Sequence, residues 1–364
     1  MTTIALTGAN GFLGWHVRCA AHSAGMAERL IAVGDAYDSE QAASAVSDAD
    51  TVIHLAGVNR APDDEIVSGN RLFAEQLASA VLSAATPPRR VVFADSIQSG
   101  NGTPYGVGKQ LAADILRTAA ERVGAQFDGV LLPNLFGEHG RPFYNSVVAT
   151  FSHLLAEGGE PEIVDDRELT LLHAQNAADV LLDESGAARI PSLTEAETVS
   201  GLLRRLSAIA STYAGGEIPD IADPFDRDLF NTYRASAFLA SPAHRSTRNA
   251  DARGSFFEIV RSHGGPGQSS FSTTVSGISR GDHYHRRKVE RFTVLSGEAT
   301  ISLRRMFTAE RVDLPVSGAE PASIDMPTMW AHSITNVGES DLYTAFWTNE
   351  LFDPAHPDTI AERV

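Results

Sequence analysis

The chain has 364 residues, long for one compact core and long enough for two. Its 29 Lys and Arg against 46 Asp and Glu give a net charge of −17, which excludes a general electrostatic footprint for nucleic acid or anionic lipid. No apolar run has the length of a bilayer span, and the one cysteine, Cys19, allows no internal disulfide, so a reducing cytoplasm is the expected setting.

The opening stretch MTTIALTGANG has no basic n-region, apolar h-region or cleavage site, and reads as a strand rather than a signal peptide. Strand and helix signals then alternate as in a doubly wound parallel sheet. Thr3–Thr7 is a short apolar strand and Phe12–Ala24 a helix. Leu30–Val33, Thr51–Leu55 and Arg90–Ala94 are expected to be buried strands, with helices over Gly69–Ala84 and Tyr105–Val123. Gly129–Pro133 is a further strand, running into Asn134-Leu135-Phe136-Gly137. Residues 185–228 read as mostly helical. Residues 240–253 carry few long apolar side chains, and the boundary is placed there, giving domains 1–243 and 244–364. Beyond it, short alternating strands are expected at Ser255–Arg261, Gln268–Val275, Arg291–Leu295, Ala299–Arg305, Ser323–Met326, His332–Asn336 and Leu342–Thr348. That pattern predicts an antiparallel barrel or jelly roll.

Gly8-Ala9-Asn10-Gly11-Phe12-Leu13-Gly14 follows a strand and opens a helix. Glycines there let the backbone approach a pyrophosphate, which can sit on the helix N-terminus. The spacing is GxxGxxG, so Asn10, Phe12 and Leu13 flank the approach. Asp35 stands at the end of the next strand, where a ribose is expected. Leu55-Ala56-Gly57 after the third strand is small enough to pass beneath a cofactor. Tyr105 and Lys109 are four apart and share a helix face. A tyrosine of pKa near about 10 stays protonated at neutral pH, and a neighbouring ammonium is expected to lower it and ease proton transfer. Lys109 can also bond the nicotinamide ribose, and Ser96, on the preceding strand, can hydrogen-bond a substrate carbonyl.

These residues resemble the extended short-chain dehydrogenase/reductase family over roughly residues 1 to 240. The resemblance implies a Rossmann fold, a fingerprint at Gly8, Gly11 and Gly14, a catalytic Ser96, Tyr105 and Lys109, and a structural Asn70. It also suggests nucleotide-sugar contacts from Asn134 and Asn145. The Ser96–Tyr105 loop is short for that family. Asp35 would repel a 2′-phosphate and suits NAD(H), so NADP(H) or NAD(H) are both left open.

In the second domain, Gly277-x5-His283-x-His285-x4-Glu290-x6-Gly297 combines with Pro327-x4-His332-x3-Asn336. His283 and His285 share one side of a strand by the period of two. With Glu290 and His332 they form a donor set for a divalent metal, Zn²⁺ first, with Fe²⁺, Mn²⁺ or Ni²⁺ also suited. The pattern resembles the cupin superfamily, although Met329 stands where a glycine is usual. Asp251-Ala-Arg253-Gly-Ser-Phe256 and Ser279-Arg-Gly-Asp-His283 also resemble the 4-keto-6-deoxy nucleotide-sugar 3,5-epimerases. That likeness implies a diphosphate contact at Arg253 and a base rather than a ligand at His283. Arg253 otherwise reads as a turn salt bridge; Arg280 and Arg141 are further candidates for a UDP group.

HLAGVNR (His54–Arg60), PNLFG (Pro133–Gly137), YNSVVATF (Tyr144–Phe151) and NELFDPAHPDT (Asn349–Thr359) extend the likeness over the whole length. The chain resembles the bifunctional capsule-precursor enzymes of the UDP-N-acetyl-L-fucosamine pathway, of the CapF and WbjC type. That resemblance implies a UDP-4-keto-6-deoxy-HexNAc substrate, C3 epimerisation in the cupin, then C4 reduction in the Rossmann domain, and a homodimer or higher homo-oligomer. Two rivals are a single-activity reductase with a structural or dimerising cupin and a non-catalytic dinucleotide or sugar sensor.

Overall fold

The computed structural model describes residues 1–364. The first elements are β1 (Thr3–Thr7), α1 (Phe12–Ser23), β2 (Ala27–Ile31), α2 (Ser39–Val46), β3 (Thr51–His54), α3 (Asp63–Ser83), β4 (Arg90–Ser96), α4 (Pro104–Val123) and β5 (Gln126–Leu132). All five strands pair in parallel, in the order β2-β1-β3-β4-β5. The order reverses between β1 and β3, and a ligand crevice belongs at their carboxyl ends. Ile4, Leu6, Val17, Ile53, Val92 and Leu172 form the core on one face. Ala5, Val52, Leu77, Val91, Phe93 and Leu116 form it on the other. A strand buried on both faces shows no alternation, which is why β4 reads as one apolar run.

The middle of the chain supplies β6 (Asn134–Phe136), α5 (Val147–Ala156), β7 (Glu168–His173), α6 (Ala174–Leu182), α7 (Ile190–Leu193), β8 (Thr194–Thr198), α8 (Val199–Ala214) and α9 (Pro224–Ala240). Asp223 caps α9 by accepting from the Phe225 and Asp226 amides at 2.9 and 3.3 Å, and Pro224 occupies its first turn.

Then come β9 (His244–Arg245), β10 (Asn249–Asp251), β11 (Gly254–Phe256), β12 (Gln268–Thr274), β13 (Ser279–Tyr284), β14 (Glu290–Ser296), β15 (Glu298–Arg305), β16 (Arg311–Ser317), β17 (Ala322–Met326), β18 (Trp330–Asn336), β19 (Leu342–Thr348) and β20 (Ile360–Ala361). Ten of them make two five-stranded antiparallel sheets, β12-β19-β14-β17-β9 and β16-β15-β18-β13-β20, and β10 pairs with β11 alone. Phe292, Val294, Ile301, Leu303, Ile324, Trp330 and Ile334 fill the core. The chain is therefore a parallel α/β Rossmann-like part followed by an all-antiparallel part consistent with a cupin.

The compact units do not divide at 243/244. One is Met1–Leu135 with Thr170–Ala196; the other is Phe136–Leu169 with Glu197–Val364. Within the second, α9 packs on the β structure. Phe238 enters its core, Arg234 donates to the Met326 carbonyl at 2.5 Å, and Asn231 donates to the Arg287 carbonyl at 3.0 Å. Several expected elements also differ. The strand expected over Ser255–Arg261 shortens to β11, in a two-stranded hairpin with β10. β8 interrupts the stretch expected to be helical, and α3 starts at Asp63, where Pro62 and three acidic residues suit a helix N-terminus.

Arg291 and Asp325 are cross-strand neighbours on β14 and β17, both almost fully buried, joined by two 2.7 Å hydrogen bonds. Arg291 also donates to the Gly216 carbonyl at 2.6 Å. Burial would raise the Asp325 carboxyl, but Arg291, with His244 and Arg234, holds it at about 2. Asp325→Ala leaves Arg291 buried without its partner and is expected to cost about 3–5 kcal/mol, read by chemical denaturation. Because the folded value is depressed, the wild-type contribution is present above pH 3.8 and is lost as pH falls toward about 2.

Candidate active sites

β1 ends at Thr7 and turns at Gly8, whose φ of +70° suits glycine. A Cβ at Gly8 would lie 2.7 Å from the Ala56 amide nitrogen, and one at Gly14 only 2.0 Å from the Gly8 carbonyl oxygen. At Gly11 the sole neighbour within 4 Å is the Gly8 carbonyl at 3.2 Å, so that side is open. Gly11 is also the N-cap of α1 and offers no capping side chain, leaving the first-turn amides to face a ligand. These residues fit a dinucleotide pyrophosphate.

Sequence reasoning passed over Thr7. Its buried hydroxyl contacts His54 Nδ1 at 2.8 Å and accepts from the Leu55 and Ala56 amides at 3.2 and 3.3 Å. That fixes the small-residue segment beside the glycine turn. Burial, then the Lys109 charge, lowers His54 to about 3, so its ring stays neutral. Asn70 donates to the Val58 and Ile66 carbonyls at 2.7 and 2.8 Å and sits against Gly57 and Gly108. It ties the loop after β3 to α3 and α4. Asp35 is exposed in a 3-10 turn at Gly34–Ala36, while Gln76 brackets Gly34 at 2.7 and 3.1 Å.

Ser96 closes β4, and Tyr105 and Lys109 occupy the first turns of α4, which Thr103 caps through the Gly106 amide at 3.1 Å. Burial raises Tyr105; a hydrogen bond with Ser96 opposes this, and Asp95 adds to it. The expected lowering by Lys109 is absent. Its Nζ donates to the Ala94 carbonyl at 2.6 Å and stands 5.9 Å from the Tyr105 ring centre. Lys109 is 5% exposed, and burial lowers it to about 8 against the pull of Asp95. The arrangement is a neutral phenol tied to a hydroxyl, with a buried amine behind it.

In the second unit, His283, His285, Glu290 and His332 come together, with one ligand atom from each and all of these within 4.8 Å of one another. Glu290 opens β14 and His332 is the third residue of β18. His283 and His285 flank Tyr284 at the end of β13, with their ring centres 5.0 Å apart. β13 bulges at Asp282, with φ +56°, and ends at Tyr284, so His285 arrives from the turn beyond. His285 Nε2 and His332 Nε2 lie 3.0 and 3.1 Å from the Glu290 carboxylate; His283 Nε2 lies 3.8 Å away. The His283 side chain is 21% exposed, against 3% and 0% for the others.

The outer contacts decide the tautomers. His285 Nδ1 donates to the Asp358 carbonyl at 2.5 Å, and His332 Nδ1 to the Trp330 carbonyl at 3.0 Å. With the proton on Nδ1, each Nε2 turns a lone pair toward the carboxylate, so a cation between them is the natural complement. Burial would raise Glu290, yet the three imidazoles around it, His283 first, hold it well below the usual range. These residues fit a divalent metal.

Asn134 donates to the Thr170 carbonyl at 3.1 Å, and Asn145 is exposed just before α5. Arg253 is 90% exposed and ion-paired with Asp251 at 2.6 Å, the turn salt bridge that the sequence also allowed. Arg141 lies over the Tyr144 ring at 5.0 Å, and Arg280 is exposed on β13.

The NAD dependent epimerase/dehydratase family matches residues 4–182, and the polysaccharide biosynthesis C-terminal domain matches residues 249–360. The chain is 30% identical to a UDP-2-acetamido-2,6-beta-L-arabino-hexul-4-ose reductase of Pseudomonas aeruginosa, over 98% of each chain. It belongs to the CapF-like family. The crystal structure of the capsular polysaccharide assembling protein CapF from Staphylococcus aureus agrees at TM-score 0.60 and 30% identity, covering 99% of this chain and 100% of that one. A UDP-N-acetylglucosamine 4-epimerase from Bacillus cereus, 17% identical, aligns at TM-score 0.50 with 58% of this chain and 82% of its own, and shares the fold alone. As expected for the family, both domains are present on one chain. No helix is long and apolar enough to cross a membrane.

Proposed function

We propose that the chain is a bifunctional nucleotide-sugar enzyme of surface-polysaccharide synthesis. Residues 244–364 would epimerise C3 of a UDP-4-keto-6-deoxy-HexNAc, and residues 1–243 would reduce its C4 ketone. The observation that carries this reading is two distinct proton-handling sites in a chain aligned end to end with a hexulose reductase: the Ser96–Tyr105 pair with Lys109, and the three histidines around Glu290.

A nicotinamide cofactor held by Gly8, Asn10, Gly11, Phe12, Leu13, Gly14, Asp35, Leu55, Ala56 and Gly57 would supply hydride. Ser96 orients the ketone, and Tyr105, kept protonated by burial, hands its hydroxyl proton to the C4 oxygen. Lys109 fixes the floor of that site through the Ala94 carbonyl. A metal held by His285, Glu290 and His332 would supply Lewis-acid stabilisation of an enolate oxygen. Three protein ligands would match the count that catalytic zinc sites use. His283, more exposed and beyond hydrogen-bond distance of Glu290, removes the C3 proton at Nε2. Epimerisation precedes reduction, because reduction removes the carbonyl that acidifies C3. Asn134, Asn145 and Arg253 are the candidates for sugar and diphosphate contacts.

The test is NMR of a UDP-4-keto-6-deoxy-HexNAc in deuterated water. Deuterium is expected to enter C3 without reduced cofactor, and a C4 alcohol to form only with NADH or NADPH. Reduction at full rate with no C3 exchange would remove the epimerase half of the reading.

A further inference from the structure

The last ten residues wrap the segment that carries two of the histidines. β20 pairs with β13, setting Ala361 opposite His283 and Ile360 opposite Tyr284, and the Glu362 amide donates to the Asp282 carbonyl at 2.9 Å. Lys288 Nζ donates to the Pro357 carbonyl at 2.9 Å, and Arg287 to the His356 carbonyl at 3.1 Å. Asp358 is the hub. Its carboxylate accepts from the Arg286, Arg287 and Lys288 amides at 3.0, 2.9 and 2.9 Å, while its own carbonyl accepts the hydrogen bond that His285 Nδ1 donates. It is 9% exposed and holds φ +43°, a left-handed conformation that Asp, Asn and Gly tolerate best.

We propose that Asp358 is a positioning residue of the metal centre: it gathers the 286–288 turn and fixes the tautomer and direction of His285. This rests on the metal reading of the histidine cluster. Three charge-assisted bonds hold one turn of chain, and removing them frees the backbone on which His285 is mounted. A histidine that must find its own orientation binds metal more weakly, and losing such an outer partner typically costs about 10–100-fold in affinity.

The experiment uses the full chain, stripped of metal and titrated with Zn²⁺ against a chelating dye and with Co²⁺ by visible absorption. Asp358→Gly keeps the left-handed backbone and deletes the carboxylate. Its Zn²⁺ affinity is expected to fall about 10–100-fold, with an altered Co²⁺ band. Asp358→Asn tolerates the same φ but keeps only one acceptor oxygen and turns its NH2 against at least one of these amides, so its affinity is expected to fall between those of the Gly variant and the wild type. Asp358→Ala adds backbone strain and should be the weakest binder; if it does not fold, the Gly and Asn variants carry the comparison. A purely structural role would lower the melting temperature of the metal-free chain and leave affinity and spectrum untouched. An Asp358→Gly chain with wild-type affinity and spectrum overturns the proposal. A wild-type chain that binds neither ion overturns the metal reading instead.

Discussion

Tyr105→Phe is expected to lower kcat for ketone reduction by about 10²–10⁴-fold, the span typical of a positioned general acid. Dinucleotide affinity, read by fluorescence titration, should stay near wild type, because the glycine turn and the Thr7-held segment are untouched. C3 deuterium exchange should also persist. The residue is suited to donate: burial raises its pKa, so the hydroxyl keeps its proton until the product alkoxide demands it. The pH profile carries a second signature. Lys109 sits near about 8, so its ammonium is present below that pH and is lost above it. Loss of that charge weakens the bond to the Ala94 carbonyl that fixes the floor of the site, so reduction by the wild type should decline as pH rises through about 8. Unchanged turnover in the Phe variant would remove Tyr105 from the chemistry and leave only its packing role.

The first site was more legible in the sequence than the second, for a physical reason. Gly8, Gly11, Gly14, Tyr105 and Lys109 are local: a tight turn and one helix face fix their geometry within a few residues. What the spacing could not give was the direction of the Lys109 ammonium, which the Ala94 carbonyl on β4 captures. The histidine cluster was legible in composition but not in route. Period-two alternation gives His283 and His285 a common side, but not the bulge at Asp282 just before them, nor that β13 ends at Tyr284 and leaves His285 beyond the strand. Asp358 carried no signal, since its partners lie 70 to 73 residues earlier and meet it only when the chain end folds back. The same non-locality hid the true company of α9. Composition draws a boundary just after it, yet Arg234 and Phe238 bury their side chains against the β sheets.

His283→Gln is expected to abolish C3 exchange, again by about 10²–10⁴-fold, while retaining bound metal and C4 reduction of a substrate that already has the inverted C3. The argument starts from asymmetry within the cluster. His285 and His332 each surrender Nδ1 to a backbone carbonyl and stand about 3 Å from Glu290, so their rings are fixed for coordination. His283 is farther away and partly open, with its ring centre 4.6 Å from that of His332. A base needs access to substrate and freedom to change protonation state; a buried ligand locked from behind has neither. Metal content by elemental analysis and deuterium incorporation by NMR should therefore separate in this variant. Loss of metal together with exchange would make His283 a fourth ligand, and proton removal would then pass to another group. In His332→Gln the two readouts should instead fall together, because that imidazole belongs to the coordinating set.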